Sequence, residues 1–408
     1  MLNLNQKKKL TLSSVYLTFF VDNLAWAIVF PIFAPLFIDT KNLLFSPEVS
    51  IATRTTILGV FLAIFPLGQF FGAPIIGEYA DKVGRKKALL ITVALSLVGL
   101  ILSAISIDYR WLWFLLFARL ITGIFSGNLS ICLAAIADLS HDEHHRAKGF
   151  GHLAMLAGLS FILGTFLGGQ FSDSTFNPHF NAALPFWIAA VLCLINLFFL
   201  LFAFQETTSQ HTRQSFHFWK GLQNIKKALT IKQLKIIYLI FFLFLFSWNI
   251  LLQFIPVLVI DEFRFTNSQI GIIESFMGVC WAFGAGFLVK RLLSLFTPLR
   301  ILEVSFLSIT LLTFSFLFLS NIILLIIVLG IAVIIAGAAW PLCTNKISQK
   351  GGPQMQGKIL GMSQSMQSLA MTLSPLVAVT THIHIDLPFL FASLTSLFAA
   401  ILYIKKKP

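Results

Sequence analysis

The chain has 408 residues, of which 57% are hydrophobic and 11% charged, and its mean hydropathy is +0.88. This balance excludes a soluble domain and indicates a membrane protein. The net charge of +13 is spread over many loops and is not clustered on one soluble face, which argues against nucleic-acid binding.

Twelve apolar stretches of the chain are long enough to span a membrane. In windows of about 19 residues, each covers about 30 Å of hydrocarbon at about 1.5 Å per residue. They lie at roughly 14–38, 56–79, 88–107, 111–136, 148–171, 183–204, 236–260, 269–289, 299–319, 322–344, 358–380 and 386–404. The sequence therefore predicts an all-α integral membrane protein with twelve transmembrane helices.

The first apolar stretch follows a short basic segment, an order that also occurs in secretory signal peptides. The stretch is too long for a signal peptide, lacks a small-residue cleavage site and contains Asp22 and Pro31. We therefore interpret it as a retained first span.

The basic residues are divided unequally between the two sets of loops. The loops on one side hold only Lys41, Arg54, Arg110 and Arg264. The termini, the other loops and the hydrophilic segment 206–235 hold nearly all the rest. Because basic loops are retained in the cytoplasm, both termini and this segment are predicted to be cytoplasmic.

The two halves of the chain resemble each other. A shift of 222 residues places VYLTFF, 15–20, on IYLIFF, 237–242, and a shift of 210 residues matches the fifth span to the eleventh. Such repeats produce two bundles that hold the substrate near the membrane midplane, where they meet. The predicted domains are a six-helix bundle at 1–205, a cytoplasmic linker at 206–235 and a second six-helix bundle at 236–408.

A short basic loop, GEYADKVGRKK, separates the second and third spans. It has Gly77, Asp81, Gly84, Arg85 and Lys86 at the spacing G-x-x-x-D-x-x-G-R-[RK]. In this loop the chain resembles the transporters of the major facilitator superfamily, and the resemblance covers essentially the whole chain. The fold that it implies is a pair of pseudo-symmetric six-helix bundles.

The first and fourth spans are most similar to the twelve-span drug/proton antiporter branch of that superfamily, which includes the tetracycline pumps. The first span has Asp22 with Pro31 nine residues later. In the fourth span Arg119 is followed by small residues, and the span closes with Asp138. The resemblance therefore implies an antiporter of this branch.

The fifth span matches the antiporter pattern G-P-x-x-G-G in part. Gly164, Gly168 and Gly169 are present, and Thr165 takes the place of the proline, which leaves the direction of transport open. The eighth span lacks the histidine of the tetracycline pumps, and Glu303 lies near the cytoplasmic end of the ninth. Tetracycline itself is therefore not predicted as the substrate.

The resemblance also implies a conformational latch at the cytoplasmic face. Its residues are Gly77, Asp81, Gly84, Arg85, Lys86 and Asp138. Asp81 is expected to meet the start of the eleventh span near Gly357, where a helix N-terminus favours an anion, and Arg85 is expected to pair with Asp138. Such contacts form in one global state and break in the other, so they bias the equilibrium between inward-open and outward-open forms.

The ionisable residues Asp22, Arg119 and Glu274 lie inside predicted spans, where a charge is costly. A carboxyl there can take up a proton from one side and release it on the other. Asp22 is therefore predicted as the proton-coupling site, with Glu274 as a second candidate. Arg119 keeps its charge, and the resemblance implies a part in proton coupling for it. The alternatives are a structural ion pair for Asp22 or Arg119 and an interfacial acid for Glu274.

By the same resemblance, the first, fourth and seventh spans line the substrate cavity. The polar and aromatic candidates there are Asn23, Trp26, Asn128, Trp248, Asn249 and Gln253. For each of them, an interhelical hydrogen bond is an equal alternative to contact with the substrate. Close helix packing is predicted at Gly158, Gly164, Gly168 and Gly169.

No metal, cofactor or enzyme site is predicted. The group HDEHH, 141–145, lies in a short loop, and its adjacent histidines, His144 and His145, do not share one helical face. The four cysteines all fall inside spans without CxxC spacing. No Walker A loop, Rossmann glycine pattern or nucleophile elbow occurs.

These features predict a secondary active transporter of the inner membrane that exports a small amphipathic or cationic compound in exchange for protons, as multidrug efflux proteins do. The proton gradient is the expected energy source, and no cofactor is needed. One alternative is proton-coupled uptake or exchange of a metabolite or siderophore, and another is a receptor or scaffold that has lost transport. The expected partners are the small-molecule substrate and the lipid bilayer, without nucleic acid, and the expected state is a monomer.

Overall fold

The computed structural model describes residues 4–39, 44–46, 48–140, 143–207, 219, 223, 226, 230, 234–350 and 356–406. These residues are mostly helical and contain no strand. Within them, 11 helices are long and apolar enough to cross a membrane. The predicted all-α integral membrane fold is confirmed, and the number of spans is close to the predicted twelve.

The chain divides into two compact units, of which the first comprises Met1–Ile32 and Ile64–Lys220. Its helices, two of which continue into the second unit, are α1 (Leu4–Ala27), α2 (Phe30–Ile38), α3 (Ile51–Val83), α4 (Arg85–Asp108), α5 (Leu112–Phe125), α6 (Leu129–Leu139), α7 (Glu143–Ser172) and α8 (Leu184–Ala203). Helix α1 packs against α7 and α8, and α4 packs against α5 and α8. The first, third, fourth, fifth and sixth spans thus form the body of this unit.

The second unit comprises Phe33–Ala63 and Gly221–Pro408. Its further helices are α9 (Lys235–Phe263), α10 (Asn267–Phe283), a π turn (Gly284–Leu288), α11 (Val289–Leu293), α12 (Pro298–Ser315), a 3-10 turn (Phe316–Phe318), α13 (Ile322–Lys350), α14 (Gln356–Leu373), a 3-10 segment (Ser374–His382) and α15 (Leu387–Lys406). Phe241, Phe244, Phe306 and Tyr403 lie in its apolar core. The predicted bundle boundaries stay a prediction, and most of the linker 206–235 lies outside the described residues.

The first span is interrupted between α1 and α2. Helix α1 ends at Ala27, and α2 begins at Phe30 with Pro31 in its first turn. Proline has no backbone N–H and is tolerated at the start of a helix, where that N–H would have no partner within the helix. Pro31 therefore favours a second helix at this point, five residues after Trp26 and nine after Asp22.

The fourth span is interrupted at Ser126, Gly127 and Asn128, between α5 and α6. The Ser126 hydroxyl donates a hydrogen bond to the Gly123 carbonyl at 3.0 Å, a local bond that competes with the helical pattern. A Cβ on Gly127 would lie 2.7 Å from the Cα of Ala73 in α3, so the close approach of α3 requires glycine here. The interruption leaves Asn128 at the start of α6, inside the membrane.

The eleventh span departs from the prediction of a continuous apolar helix over 358–380. Helix α14 ends at Leu373, and the chain continues as a 3-10 segment to His382. The span is missing from the 11 apolar helices because α14 is rich in polar side chains. These are Ser363, Gln364, Ser365, Gln367 and Ser368. Window hydropathy therefore identifies this span less securely than its neighbours.

Candidate functional site

Asp22 lies near the C-terminal end of α1 and accepts a hydrogen bond from Asn128. The Asn128 Nδ2 atom is 2.6 Å from the Asp22 Oδ2 atom. Asn128 is fully buried and makes no capping hydrogen bond with its own helix α6, although asparagine is a favoured capping residue. Its amide instead donates to the Asp22 carboxyl of the first span.

A small cavity within the first unit reaches Asp22. Its lining includes Trp26, Phe65, Ser96, Thr122 and Ser126, which come from the first four spans. The Ser96 hydroxyl is buried and has no hydrogen-bond partner among the described residues. Asp22 is therefore a membrane-embedded carboxyl with one amide donor on one side and a partly polar cavity on the other.

Arg119 is brought to the same region through Phe65. Arg119 lies on α5 and is 2% exposed, and its Cζ atom lies 4.6 Å from the centroid of the Phe65 ring. This geometry is a cation–π contact. Since Phe65 also lines the cavity at Asp22, one aromatic ring contacts the guanidinium and forms part of the wall of that cavity. The sequence analysis missed Phe65, because nothing distinguishes it from the other phenylalanines of the chain.

Two of the predicted cavity residues donate hydrogen bonds to the backbone of their own helices. Asn23 Nδ2 donates to the Phe19 carbonyl at 2.8 Å, and Asn249 Nδ2 donates to the Leu245 carbonyl at 2.7 Å. Each bond joins a side chain to the backbone one turn earlier in the same helix. Trp26, in contrast, lines the cavity and packs edge-on against Phe30.

In the second unit, Trp248 of α9 packs against Trp281 of α10, with 4.7 Å between ring centroids and 38° between the ring planes. Gln253, one and a half turns further along α9, is buried, and its Oε1 atom has no partner among the described residues. Trp281 was not among the predicted residues. Its position seven residues after Glu274, on the same face of α10, is the pattern that identifies it.

Glu274 lies on α10 and is 0% exposed. Neither of its carboxyl oxygens has a hydrogen-bond partner among the described residues. Asp22 and Glu274, the two predicted coupling carboxyls, therefore have different environments, each within its own unit. Among the residues that the structure describes, only Asp22 of the two has a donor.

The residues of the predicted latch come together at the start of α4. Arg85 forms an ion pair with Asp81, and its Nε atom lies 3.5 Å from the Asp138 Oδ2 atom. Gly84, just before the helix, has a φ of 96°, a left-handed conformation that favours glycine. Gly77 faces Ser130, whose Oγ atom would lie 3.5 Å from a Cβ on the glycine. The predicted contact of Asp81 with the eleventh span stays a prediction.

Glu206 also contacts the start of α4, a contact that was not predicted from the sequence. Its Oε1 atom accepts a hydrogen bond from the Arg85 N–H at 2.9 Å, and its Oε2 atom accepts one from the Lys86 N–H at 3.1 Å. A carboxylate at a helix N-terminus satisfies free N–H groups and interacts favourably with the helix dipole. Glu206 follows α8 in the chain, so only the tertiary fold brings it to α4.

Two of the four predicted packing glycines lie close to the first span. A Cβ on Gly164 would lie 2.9 Å from the Leu24 carbonyl, and one on Gly168 would lie 2.7 Å from the Ile28 carbonyl. Gly169 is buried, and its part in packing stays a prediction. At Gly158 the expected close approach is absent, because no described atom comes within 4 Å of a Cβ built there.

Comparisons with known proteins identify the family. The profile described as "Major Facilitator Superfamily" matches residues 15–375. The class H tetracycline resistance protein of Pasteurella multocida is 34% identical over 40% of this chain and 38% of its own length. The class B protein of Escherichia coli is 32% identical over 45% of the chain and 44% of its own length. The alignment thus spans less than half of each of these relatives.

Solved structures share the fold along nearly the whole chain. The human organic anion transporter MFSD10 (TETRAN) superposes with a TM-score of 0.73 at 20% identity, covering 97% of this chain and 99% of that one. A D-xylose-proton symporter superposes with a TM-score of 0.75 at 16% identity, covering 97% and 96%. At these identities the likeness concerns the fold alone.

Proposed function

The chain belongs to the major facilitator superfamily, and from this premise we propose that it exports a small amphipathic or cationic compound in exchange for protons by alternating access. Tetracycline resistance proteins are among its relatives, which supports drug export. The proposed setting is the inner membrane, with both termini in the cytoplasm.

The observation that carries this proposal is the Asp22–Asn128 pair at the cavity of the first unit. A carboxyl inside a membrane span is costly, and this one has a single side-chain donor and a partly polar space beside it. The Asn128 amide donates to Asp22 when the carboxyl is ionised, and the carbonyl oxygen of a rotated amide accepts from it when it is protonated. The pair therefore serves both protonation states.

Arg119 acts on this pair at a distance in the proposed mechanism. Its guanidinium stays charged and is held on the face of Phe65, which also lines the cavity. A fixed positive charge in this region favours the ionised carboxyl after proton release. Arg119 is therefore a positioning residue for the proton at Asp22, and the proton itself is carried by the carboxyl.

The latch sets the balance between conformations. Arg85 is tied to Asp81 and Asp138 in this structure, and the start of α4 is capped by Glu206. Contacts that exist in one global state and are lost in the other shift the equilibrium between them. We propose that this group stabilises one of the two access states and that proton binding at Asp22 biases the transition.

A second direction of transport has one supporting observation. Thr165 is buried at the position where the antiporter pattern has proline, and its hydroxyl donates to the Phe161 carbonyl. Because threonine keeps the backbone N–H that proline lacks, α7 continues through this position without interruption. Proton-coupled uptake or exchange of a metabolite or siderophore is the function that this departure favours. A receptor or scaffold without transport has no use for the costly charges at Asp22 and Arg119.

The experiment that tests the proposal uses inside-out membrane vesicles with an acidified lumen. Proton efflux is recorded while tetracycline, ethidium, tetraphenylphosphonium, sugars and siderophores are added one at a time. We expect at least one amphipathic or cationic compound to trigger efflux from vesicles with the wild-type protein. Asp22→Asn should abolish this efflux, and the matched exchange Asp39→Asn at the far end of the same span should leave it intact. If a compound moves protons only when the pH gradient across the vesicle membrane is reversed, the protein takes up its compound with protons and does not export it.

A further inference from the structure

Glu274 is a buried carboxyl that the pathway through Asp22 leaves unused. It lies about two turns after the start of α10 and is 0% exposed. Both of its oxygens lack a hydrogen-bond partner among the described residues. A buried ionised carboxylate without a donor is strongly unfavourable, and such groups occur paired, hydrogen-bonded or neutral.

The helix that packs against α10 offers no donor at the level of Glu274. Helices α10 and α13 are in contact and run in the same direction, since Gly330 meets Phe276 and Gly337 meets Trp281. Glu274 is therefore level with the first turns of α13, where residues 322–330 read IILLIIVLG. No side chain in this stretch donates a hydrogen bond.

The titratable groups on α9, on the rest of α10, on α13 and on the π turn after α10 lie at other levels than Glu274. On α10 itself the nearest is Cys280, one and a half turns away, and on α13 Cys343 and Lys346 lie toward the opposite end. On α9, which reaches α10 through Trp248, the acids Asp261 and Glu262 lie at the end of the helix. The π turn after α10 has no titratable side chain.

A third acceptor without a donor lies at a similar depth. From the Trp248–Trp281 contact, Gln253 is displaced about 8 Å along α9 and Glu274 about 11 Å along the antiparallel α10, at about 1.5 Å per residue. The Gln253 Oε1 atom is also buried without a partner among the described residues. This layer of the second unit thus holds several acceptor oxygens and needs a donor.

We propose that Glu274 is a second proton-binding site, occupied by a proton in this structure and exchanging it only in another conformation of the second unit. A proton removes the charge and supplies the missing donor, and it needs no space for a larger ligand. The inference rests on the proposed function in one respect: the exporter then exchanges two protons for each compound, and Glu274 releases its proton only after Asp22 has released its own, so that Asp22→Asn stops both.

The first test is independent of transport and uses the purified full-length protein in lipid at neutral pH. Infrared difference spectra are recorded in the carbonyl region of protonated carboxyl groups, for the wild type against Glu274→Gln, in H2O and D2O. A deuterium-sensitive band should be lost in Glu274→Gln and retained in the control Glu262→Gln, which removes an exposed acid of the same unit. Equal band intensity in the wild type and Glu274→Gln would overturn the proposal, as would failure of Glu274→Gln to fold, since a neutral isostere fits a site that is already neutral.

The second test counts protons. Vesicles with a fixed pH gradient are exposed to increasing opposing gradients of a compound that triggers efflux, and the gradient at which net flux reverses gives the protons exchanged per compound. The expected ratio is two for the wild type and Glu262→Gln, and one for Glu274→Gln. A ratio unchanged by Glu274→Gln would overturn the proposal. If no compound moves protons in the wild type, the proposed export fails, and the infrared result still decides whether Glu274 holds a proton.

Discussion

Two carboxyl groups lie inside the membrane-spanning helices in contrasting environments. Asp22, in the first unit, has an amide donor from an interrupted helix and borders a partly polar cavity. Glu274, in the second unit, is closed in by packed side chains and has no hydrogen-bond partner among the described residues. We propose that a local break in a helix makes a carboxyl exchangeable and that continuous packing keeps it occluded.

The largest expected effect follows from removing the exchangeable carboxyl. Asp22→Asn keeps the shape of the side chain but has no proton to take up, so proton-driven export should fall to background. The measurement is compound-triggered proton efflux from inside-out vesicles, compared with Asp39→Asn. Efflux at the wild-type level in Asp22→Asn would show that another residue carries the exchanged proton. The contrast drawn between the two carboxyls would then be wrong.

The next effect concerns the donor that distinguishes Asp22 from Glu274. A hydrogen bond to a charged group contributes about 1.5–3 kcal/mol, so Asn128→Ala should slow proton release by about 10- to 100-fold, since about 1.4 kcal/mol corresponds to a factor of ten. Without this donor the ionised form is less favoured, and the pH of half-maximal transport should rise.

The matched control for that experiment is Asn196→Ala. Asn196 is also fully buried in the first unit, and its Oδ1 atom accepts a hydrogen bond from Thr18 at 3.1 Å. This variant should lower stability without moving the pH profile. An equal shift in both variants would show that burial of an amide, and not the contact with Asp22, sets the profile.

Two glycines of α7 test how closely this helix packs against the interrupted first span. Gly164→Ala forces a Cβ against α1 and should lower the free energy of unfolding by about 1–3 kcal/mol, with slower export. Gly158→Ala, in open space, should change stability by no more than about 0.5 kcal/mol. Thermal unfolding of the purified variants measures both, and equal effects would contradict the assigned packing.

The sequence predicts the helices well and the contacts between them poorly. Hydropathy locates most of the spans to within a few residues, because a membrane helix must be long and apolar. The interruption at Ser126–Asn128 has only a weak local sign, the pair Ser-Gly, and the partner of Asn128 is set by how the first and fourth spans pack. Glu206 and Phe65 show the same limit, since each gains its role from a distant segment.

The smallest expected effect is at Glu206. Glu206→Gln weakens a charged cap on α4 and should lower the free energy of unfolding by about 1 kcal/mol. The effect should decrease at high salt, because the interaction of an exposed charge with a helix dipole is screened. Chemical unfolding at two ionic strengths, with Glu48→Gln as the control, would measure it. Lack of any salt dependence would show that the cap acts through hydrogen bonds alone.

The central claim is that Asp22 carries the exchanged proton and is not required for the compound to move. The most direct measurement is counterflow without a proton gradient, in which labelled compound exchanges for unlabelled compound across the vesicle membrane. The account predicts that Asp22→Asn exchanges the compound at close to the wild-type rate while the compound no longer triggers proton movement. Proton movement that persists in Asp22→Asn alongside exchange would contradict it.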